Sequence, residues 1–317
     1  MKDLNKKNIL VTGGAGFIGS NLVSHLLKHE QVGIVRVIDN LSSGNLSNLE
    51  GFFSNLNFEF IEGDIRNFNE CKIVCQNIHA VSHQAALGSV PRSIKDPIVT
   101  NDVNISGTLN IFKAAHESGI KRVVYASSSS VYGDSPELPK VESKIGKPLS
   151  PYAVSKYTTE LYADIFGKVY DMEMIGLRYF NIFGPKQSPN GPYAAVVPLF
   201  IQALKDGKSP TINGDGSISR DFTYVENAVN ANILALFTNN QEATNQVYNI
   251  ACGQQTTLKE LFFLLRNRIG NCQIEPMFSS NREGDIFHSL ADITLAKQLL
   301  NYTGKISIEE GIQMMDI

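Results

Sequence analysis

Short apolar runs alternate with longer stretches of helical period along the first 180 or so residues of the chain. The runs at 8–12, 34–38, 58–61, 80–83, 122–126 and 175–178 read as short strands, and near-continuous apolarity is what strands covered on both faces show. Between them a helical period runs over 17–29, 96–117 and 152–170. Strands alternating with helices predict an α/β fold, a Rossmann-type doubly wound parallel sheet. Past residue 183 the alternation breaks down: Gly184, Pro185, Pro189, Gly191 and Pro192 interrupt it. The expected organisation is therefore one domain over 1–183 and a smaller mixed α/β C-terminal lobe over 184–317, with segments of the second free to return to the sheet.

The turn after the first strand spells Gly13-Gly14-Ala15-Gly16-Phe17-Ile18-Gly19. Glycines at 13, 16 and 19 suit a tight turn, a close backbone approach to a pyrophosphate, and a helix packed hard on its strand, with the phosphate at the helix N-terminus. The second strand ends at Asp39, where a carboxylate can accept from the adenosine ribose hydroxyls and repels a 2′-phosphate; the implied cofactor is NAD. Arg36 lies inside that strand rather than after it. Asn40, Ser42 and Gly44 form a polar turn that continues around the ribose, and the small residues of Gln84-Ala85-Ala86 let the backbone pass close to the cofactor. Asp64, after the third strand, reads from its position as a turn residue capping the next helix.

Ser150-Pro151-Tyr152-Ala153-Val154-Ser155-Lys156 places a phenol and an ammonium one helical turn apart on the same face. A nearby cation stabilises a phenolate, and closing the gap of about three units between a free phenol and neutral pH takes roughly 4 kcal/mol. The fifth strand delivers Ser127-Ser128-Ser129-Ser130 to its carboxyl end, where the chemistry of an open parallel sheet belongs.

Composition narrows the reading further. A hydrophobic fraction of 43%, 19% charged residues and a formal net charge of −3 fit an ordinary globular protein and give no basis for nucleic-acid or membrane binding. Cys71 and Cys75 share a helical face as core thiols, and with Cys252 and Cys272 they make no disulfide framework in a chain of 317 residues. His25 and His29 have the spacing of metal ligands but no third partner nearby, so no metal is expected. The first residues lack the apolar segment of a signal peptide, which points to a cytoplasmic protein.

Together the glycine turn, the serine cluster and the Tyr-x-x-x-Lys pair resemble the extended short-chain dehydrogenase/reductase family, and nearly the whole chain is similar to its nucleotide-sugar epimerase branch. The runs from Ala85 to Ser93 and from Gly146 to Ala153 resemble the bacterial UDP-N-acetylglucosamine 4-epimerases in particular. The resemblance implies Ser128, Tyr152 and Lys156 as catalytic residues, Asp64 and Ile65 at the adenine, Asn104 near the active site, and Asn104, Tyr152, Lys156 and Tyr179 among the cofactor-binding residues. Around the UDP-sugar it implies Ser89, Arg92, Ser128, Ser129, Ser130, Tyr152, Asn181, Ala195, Val196, Asn213, Arg220, Arg282, Asp285 and Ser289. Two arginines can clamp a diphosphate through paired N–H donors, although Arg220 and Arg282 also have Asp221 and Asp285 beside them as ion-pair partners. Arg92 meets either a substrate carboxylate or Asp96. Dehydratases of the family carry an Asp-Glu pair where this chain has Ser129 and Ser130, so elimination is disfavoured and 4-epimerisation through a 4-keto sugar is expected. A residue as small as Ser289 leaves room for an acetamido group, giving UDP-GlcNAc to UDP-GalNAc as the expected reaction. The alternatives are the corresponding uronic acids, UDP-Glc/UDP-Gal, a dehydratase or decarboxylase, and an NAD-holding sensor. By resemblance the protein is also expected to be a homodimer.

Overall fold

The structure, a computed structural model, describes residues 6–190, 194–270, 273–280 and 287–317. Six strands follow in chain order: β1 (Lys7–Thr12), β2 (Val32–Asp39), β3 (Phe58–Glu62), β4 (Ala80–His83), β5 (Arg122–Ser128) and β6 (Glu173–Tyr179). A seventh, Gln246–Ile250, joins them, and the sheet runs Gln246–Ile250, β6, β5, β4, β1, β2, β3, parallel throughout. Side chains alternate between its faces. Ile9, Val11, Val124 and Ala126 join one apolar cluster, whereas Leu10, Val123 and Tyr125 join another on the opposite side. Helices Phe17–Leu26 and Val225–Phe237 supply the first cluster; Phe68–Val74, Thr108–Glu117 and Pro151–Tyr170 supply the second.

The expected strands all form, Ala80–His83 unchanged and the others longer by one to three residues, while the helices differ in instructive ways. The first ends at Leu26 rather than 29, and His29 beyond it stacks on Phe237 with ring centroids 4.5 Å apart. The expected helix over 96–117 is three segments: Pro97–Asn101, a π-helical Asp102–Gly107 and Thr108–Glu117. The carbonyl of Asn104 accepts from the Thr108 hydroxyl at 2.7 Å, and Gly107 presses on Ile65 so closely that a Cβ there would stand 2.7 Å from its side chain. Both contacts suit a widened turn.

Beyond β6 the chain does not separate cleanly. Ile182–Phe183 pairs in parallel with Thr223–Tyr224, the Val225–Phe237 helix covers the sheet, and only then does Gln246–Ile250 dock beside β6. The lobe is built from helices Val196–Lys205 and Leu258–Ile269 and from two small ladders, Thr211–Asn213 with Met277–Ser279 and Ser219–Arg220 with Thr256–Thr257. Phe200, Leu204, Ile212, Leu261, Phe262 and Leu265 belong to the same apolar cluster as Val11 and Val37, so lobe and sheet share one core. Among the described residues no helix is long and apolar enough to cross a membrane.

Candidate active site

A cavity of about 380 Å³ opens at the carboxyl ends of β1 and β4, where the strand order reverses direction. Such a switch point is where open α/β sheets bind ligands. Gly13, Gly16, Phe17, Ile18, Asp39, Asn40, Ser42, Gly44, Asp64, Ile65, Gln84, Ala85, Ala86, Tyr152, Lys156 and Tyr179 all line it. Gly13 has φ +69°, and a Cβ on it would stand 2.7 Å from the Ala85 backbone, so the turn closes only with glycine. A Cβ on Gly19 would collide with the Gly13 carbonyl, which keeps the Phe17–Leu26 helix tight against β1. That helix starts without a side-chain cap, leaving its first N–H groups for an anion. The buried Asp39 carboxylate accepts from the Ala15 and Leu41 N–H groups at 2.9 Å each; burial raises its pKa and these two bonds oppose the rise. A carboxylate retains acceptor capacity after two such bonds, so Asp39 can still take ribose hydroxyls. Arg36 turns away to Glu59, 2.7 Å distant, on the neighbouring strand. This cradle fits NAD.

Of the catalytic candidates, Tyr152 and Lys156 line the cavity and Ser128 does not. Ser150 caps the Pro151–Tyr170 helix by accepting from Ala153 N–H at 3.1 Å, which fixes the start of the turn bearing Tyr152. Burial raises the pKa of the Tyr152 phenol and the neighbouring Ser128 hydroxyl pulls it back. Lys156 is buried and donates to the Ala126 carbonyl at 2.9 Å; burial pushes its pKa down to about 8, with Glu160 opposing. The cation expected to favour the phenolate is thus itself held near its own titration point. Ser128 also accepts from Ser130 N–H at 3.2 Å and from the Ser130 hydroxyl at 2.9 Å, so the serine cluster bonds within itself at the strand end.

Other expected site residues are placed differently. Asn104 does not line the cavity: its amide brackets Leu87, accepting from Leu87 N–H at 2.8 Å and donating to the Leu87 carbonyl at 3.1 Å, and also donates to Ser155 at 3.1 Å. It shapes the loop that walls the cofactor cavity. Asp64 bonds Asn40 and Arg66, which draws its pKa down to about 2, but the cap of the Phe68–Val74 helix is Asn67 rather than Asp64. Of the residues expected around the sugar nucleotide, Arg92 and Tyr152 line the cavity. Ser89 caps Val90–Lys95 with φ +101°, a rare conformation for a non-glycine residue. Asn181 donates to the Asp221 carbonyl at 3.3 Å, Ala195 and Val196 open the Val196–Lys205 helix, and Asn213 accepts from Ser279 at 3.0 Å. Ser289 pairs with Ser219: its N–H donates to the Ser219 carbonyl at 3.1 Å, Ser219 bridges His288, and Arg220 donates to the Phe287 carbonyl at 3.2 Å. Arg282 and Asp285 lie outside the described residues, as does Cys272.

The model of the NAD dependent epimerase/dehydratase family matches residues 9–251, which spans the sheet, the glycine turn and the Tyr152/Lys156 helix. The chain belongs to this family. Among relatives of the family member, the UDP-glucose 4-epimerase of Mycolicibacterium smegmatis is 36% identical over 307 residues, 96% of this chain and 95% of that one. The UDP-N-acetylglucosamine 4-epimerase of Methanobrevibacter ruminantium M1, solved with UDP-N-acetylmuramic acid, superposes with TM-score 0.90 at 40% identity, over 98% of this chain and 97% of that one. The UDP-glucose 4-epimerase of Thermotoga maritima, solved with UDP-glucose, gives TM-score 0.90 at 37% identity over 97% of each chain.

In this epimerase-family enzyme Ser82, His83 and Asn232 sit among the site residues without any motif in the sequence to mark them. His83 is buried beneath the cavity wall between Thr12 at 2.7 Å and Thr108 at 2.8 Å, and burial pushes its pKa down to about 3, so it is neutral. Because Thr108 donates to Asn104, it accepts from His83 Nε2–H, leaving Nδ1 to accept from Thr12. Gln84, Ser82, Asn232 and Tyr179 form a second polar cluster, Asn232 on the Val225–Phe237 helix donating to the Tyr179 hydroxyl at 2.7 Å. A histidine or asparagine inside an apolar run gives no sign of what it meets 100 residues away. Cys71 and Cys75 are buried thiols pushed up to about 12 by burial, and no metal-holding cluster occurs among the described residues.

Proposed function

We propose that this enzyme, one of the UDP-sugar 4-epimerase kind, interconverts UDP-GlcNAc and UDP-GalNAc, with Ser128, Tyr152 and Lys156 as its catalytic residues. Tyr152 removes the C4 hydroxyl proton and returns it once the sugar has presented its other face, and Ser128 bonds the C4 oxygen throughout. Lys156 lends positive charge beneath the phenol and has room to grip the nicotinamide ribose from the cavity floor. NAD, when bound, supplies the acceptor and then the donor of the C4 hydride, so the sugar leaves with no net redox change. Ser129 and Ser130 cannot act as the carboxylate acid and base that elimination of water requires.

Ser289 carries the choice of sugar. Its small side chain stands in the strand-like segment paired with Ser219, next to Arg220, where a bulkier residue would crowd a C2 substituent. The purified protein incubated separately with UDP-GlcNAc, UDP-Glc and the uronate of UDP-GlcNAc, followed by NMR, is expected to epimerise UDP-GlcNAc fastest. Ser289→Tyr is expected to lower turnover of the N-acetyl sugar by about tenfold or more while sparing UDP-Glc. A wild-type preference for UDP-Glc, or an N-acetyl activity indifferent to the substitution, overturns the assignment. The enzyme is also read as a homodimer, because Ile98, Leu161, Ile165 and Val169 stand exposed on the neighbouring Pro97–Asn101 and Pro151–Tyr170 helices.

A further inference from the structure

The Pro151–Tyr170 helix presents Tyr152, Lys156 and Glu160 at successive four-residue steps, and each addresses the same strand end. Tyr152 neighbours Ser128, Lys156 donates to the Ala126 carbonyl at 2.9 Å, and Glu160 Oε1 accepts from the Ser127 hydroxyl at 2.5 Å. Three turns of helix therefore grip three consecutive residues of β5. Ser127 stands opposite Arg178 in the β5–β6 ladder, and Arg178 closes on the same carboxylate, Nε to Oε1 and Nη2 to Oε2, each at 2.8 Å. The pair is almost fully buried, with side-chain exposures of 3% for Arg178 and 6% for Glu160. Arg178 is held in turn by the Tyr132 hydroxyl at 2.9 Å and the Glu142 carbonyl at 3.0 Å. A buried ion pair contributes little net stability by itself, so this one calls for another role.

We infer that Glu160 is the positioning residue for Lys156, its carboxylate fixed by Ser127 and Arg178 so that the Lys156 ammonium stays charged and seated below Tyr152. Lys156, Glu160 and Arg178 together carry one net positive charge in a dry wall, and that surplus faces the phenol. The remaining groups around Lys156 do not compete: His83 on β4 is neutral, Tyr125 on β5 is raised well above its ordinary pKa by burial, and Tyr179 on β6 is pushed up to about 12. Glu142, Asp164 and Asp292 line a second cavity of about 600 Å³ on the other side of the Glu160–Arg178 pair. Burial drives Lys156 towards the neutral form and Glu160 resists it, so removing the carboxylate charge lets the lysine lose its proton at lower pH.

This inference rests on the assignment of Tyr152 and Lys156 above, and the controls separate the two. With NAD-loaded enzyme and the preferred UDP-sugar, Tyr152→Phe and Lys156→Met are expected to be inactive at every pH; activity in either sinks that assignment. Glu160→Gln keeps the shape and one acceptor oxygen but removes the charge, and its amide NH2 can no longer accept from Arg178 as the second carboxylate oxygen does. Its pH–rate profile is expected to lose its alkaline limb about one unit earlier than wild type, a further loss of about tenfold on the alkaline side, with acid-side rates within about threefold. A profile lowered evenly at all pH values makes Glu160 merely structural and overturns the inference. Glu160→Asp and Ser127→Ala keep the charge, and should this hold while Glu160→Gln fails to fold they remain decisive: both are expected to retain the wild-type alkaline limb whatever their rate. A limb displaced in these charge-preserving variants also overturns it.

Discussion

At the scale of single residues the site works by setting two proton affinities against each other. Burial raises Tyr152 and lowers Lys156, so both groups are driven towards their neutral forms, and the proposed catalysis depends on what opposes that drift. Lys156 provides a measurable consequence. Its pKa falls from 10.5 to about 8 on folding, so between those values the unfolded chain binds the proton and the folded chain does not. On this group's account stability is lowest below about pH 8, rises with pH through that window, and is fully regained above about 10.5. Lys156→Met, measured by denaturant titration of cofactor-free protein, is expected to exceed wild type in stability near neutral pH by an amount on the order of 3 kcal/mol at most, because the Ala126 carbonyl loses its partner. The gap should close as pH climbs to about 10.5; a gap independent of pH would show that charge burial is not its origin. A residue placed for chemistry at the expense of the fold is the expected signature of a functional site.

Among the elements, the π-helical turn at Asp102–Gly107 links the cofactor wall to the catalytic helix. Asn104 reaches outwards to Leu87 and inwards to Ser155, while its carbonyl takes the Thr108 hydroxyl, which is also the acceptor for His83. Thr108→Val strands a buried imidazole N–H and frees that carbonyl. Melting experiments are expected to register a loss of about 1–3 kcal/mol, with weaker NAD retention as the Leu87 loop loosens. Unchanged melting and retention would mean that the turn does not depend on the hydroxyl.

The same region shows where the sequence was legible. Short, near-continuous apolar runs located six strands, the phenol and ammonium one turn apart marked the Tyr152/Lys156 helix, and the glycines at 13, 16 and 19 declared a turn whose sterics admit nothing larger. The π turn left no such trace, since its cause is a side-chain bond to a carbonyl together with the pressure of Ile65 from another element. Asn104 was legible as a polar helix residue near the site but not as the bracket of a loop. Gln246–Ile250 escaped notice because five residues at a sheet edge, following a lobe of mixed elements, carry too little pattern to announce a parallel partner. The Glu160–Arg178 pair needed the β5–β6 register, which only the folded chain reveals.

For the whole molecule, the exposed stripe of Leu161, Ile165 and Val169 lies on the helix that also bears Tyr152 and Lys156, so the proposed dimer would tie association to the proposed catalysis. Replacing Leu161 and Ile165 together by glutamate is expected to yield a monomer by light scattering. The helix should then be less well held and turnover should fall, with NAD still bound through the distant glycine turn. A wild-type protein already monomeric at working concentration would remove the dimer reading.

The chain passes between sheet and lobe more than once: it leaves after Phe183, comes back through Thr223–Tyr224 and the Val225–Phe237 helix to lay down Gln246–Ile250, and leaves again. Near these passages the buried Asp221 carboxylate accepts from Cys252, Gly253 and Ala291 N–H groups, stitching outgoing and returning segments together. The lobe is therefore not a cassette. No single cut or splice can remove it while leaving the sheet complete, and a lobe borrowed from another protein would need two joins with the sheet edge threaded between them. A change of sugar in such an architecture comes by altering individual side chains in two interleaved stretches, never by exchanging a module.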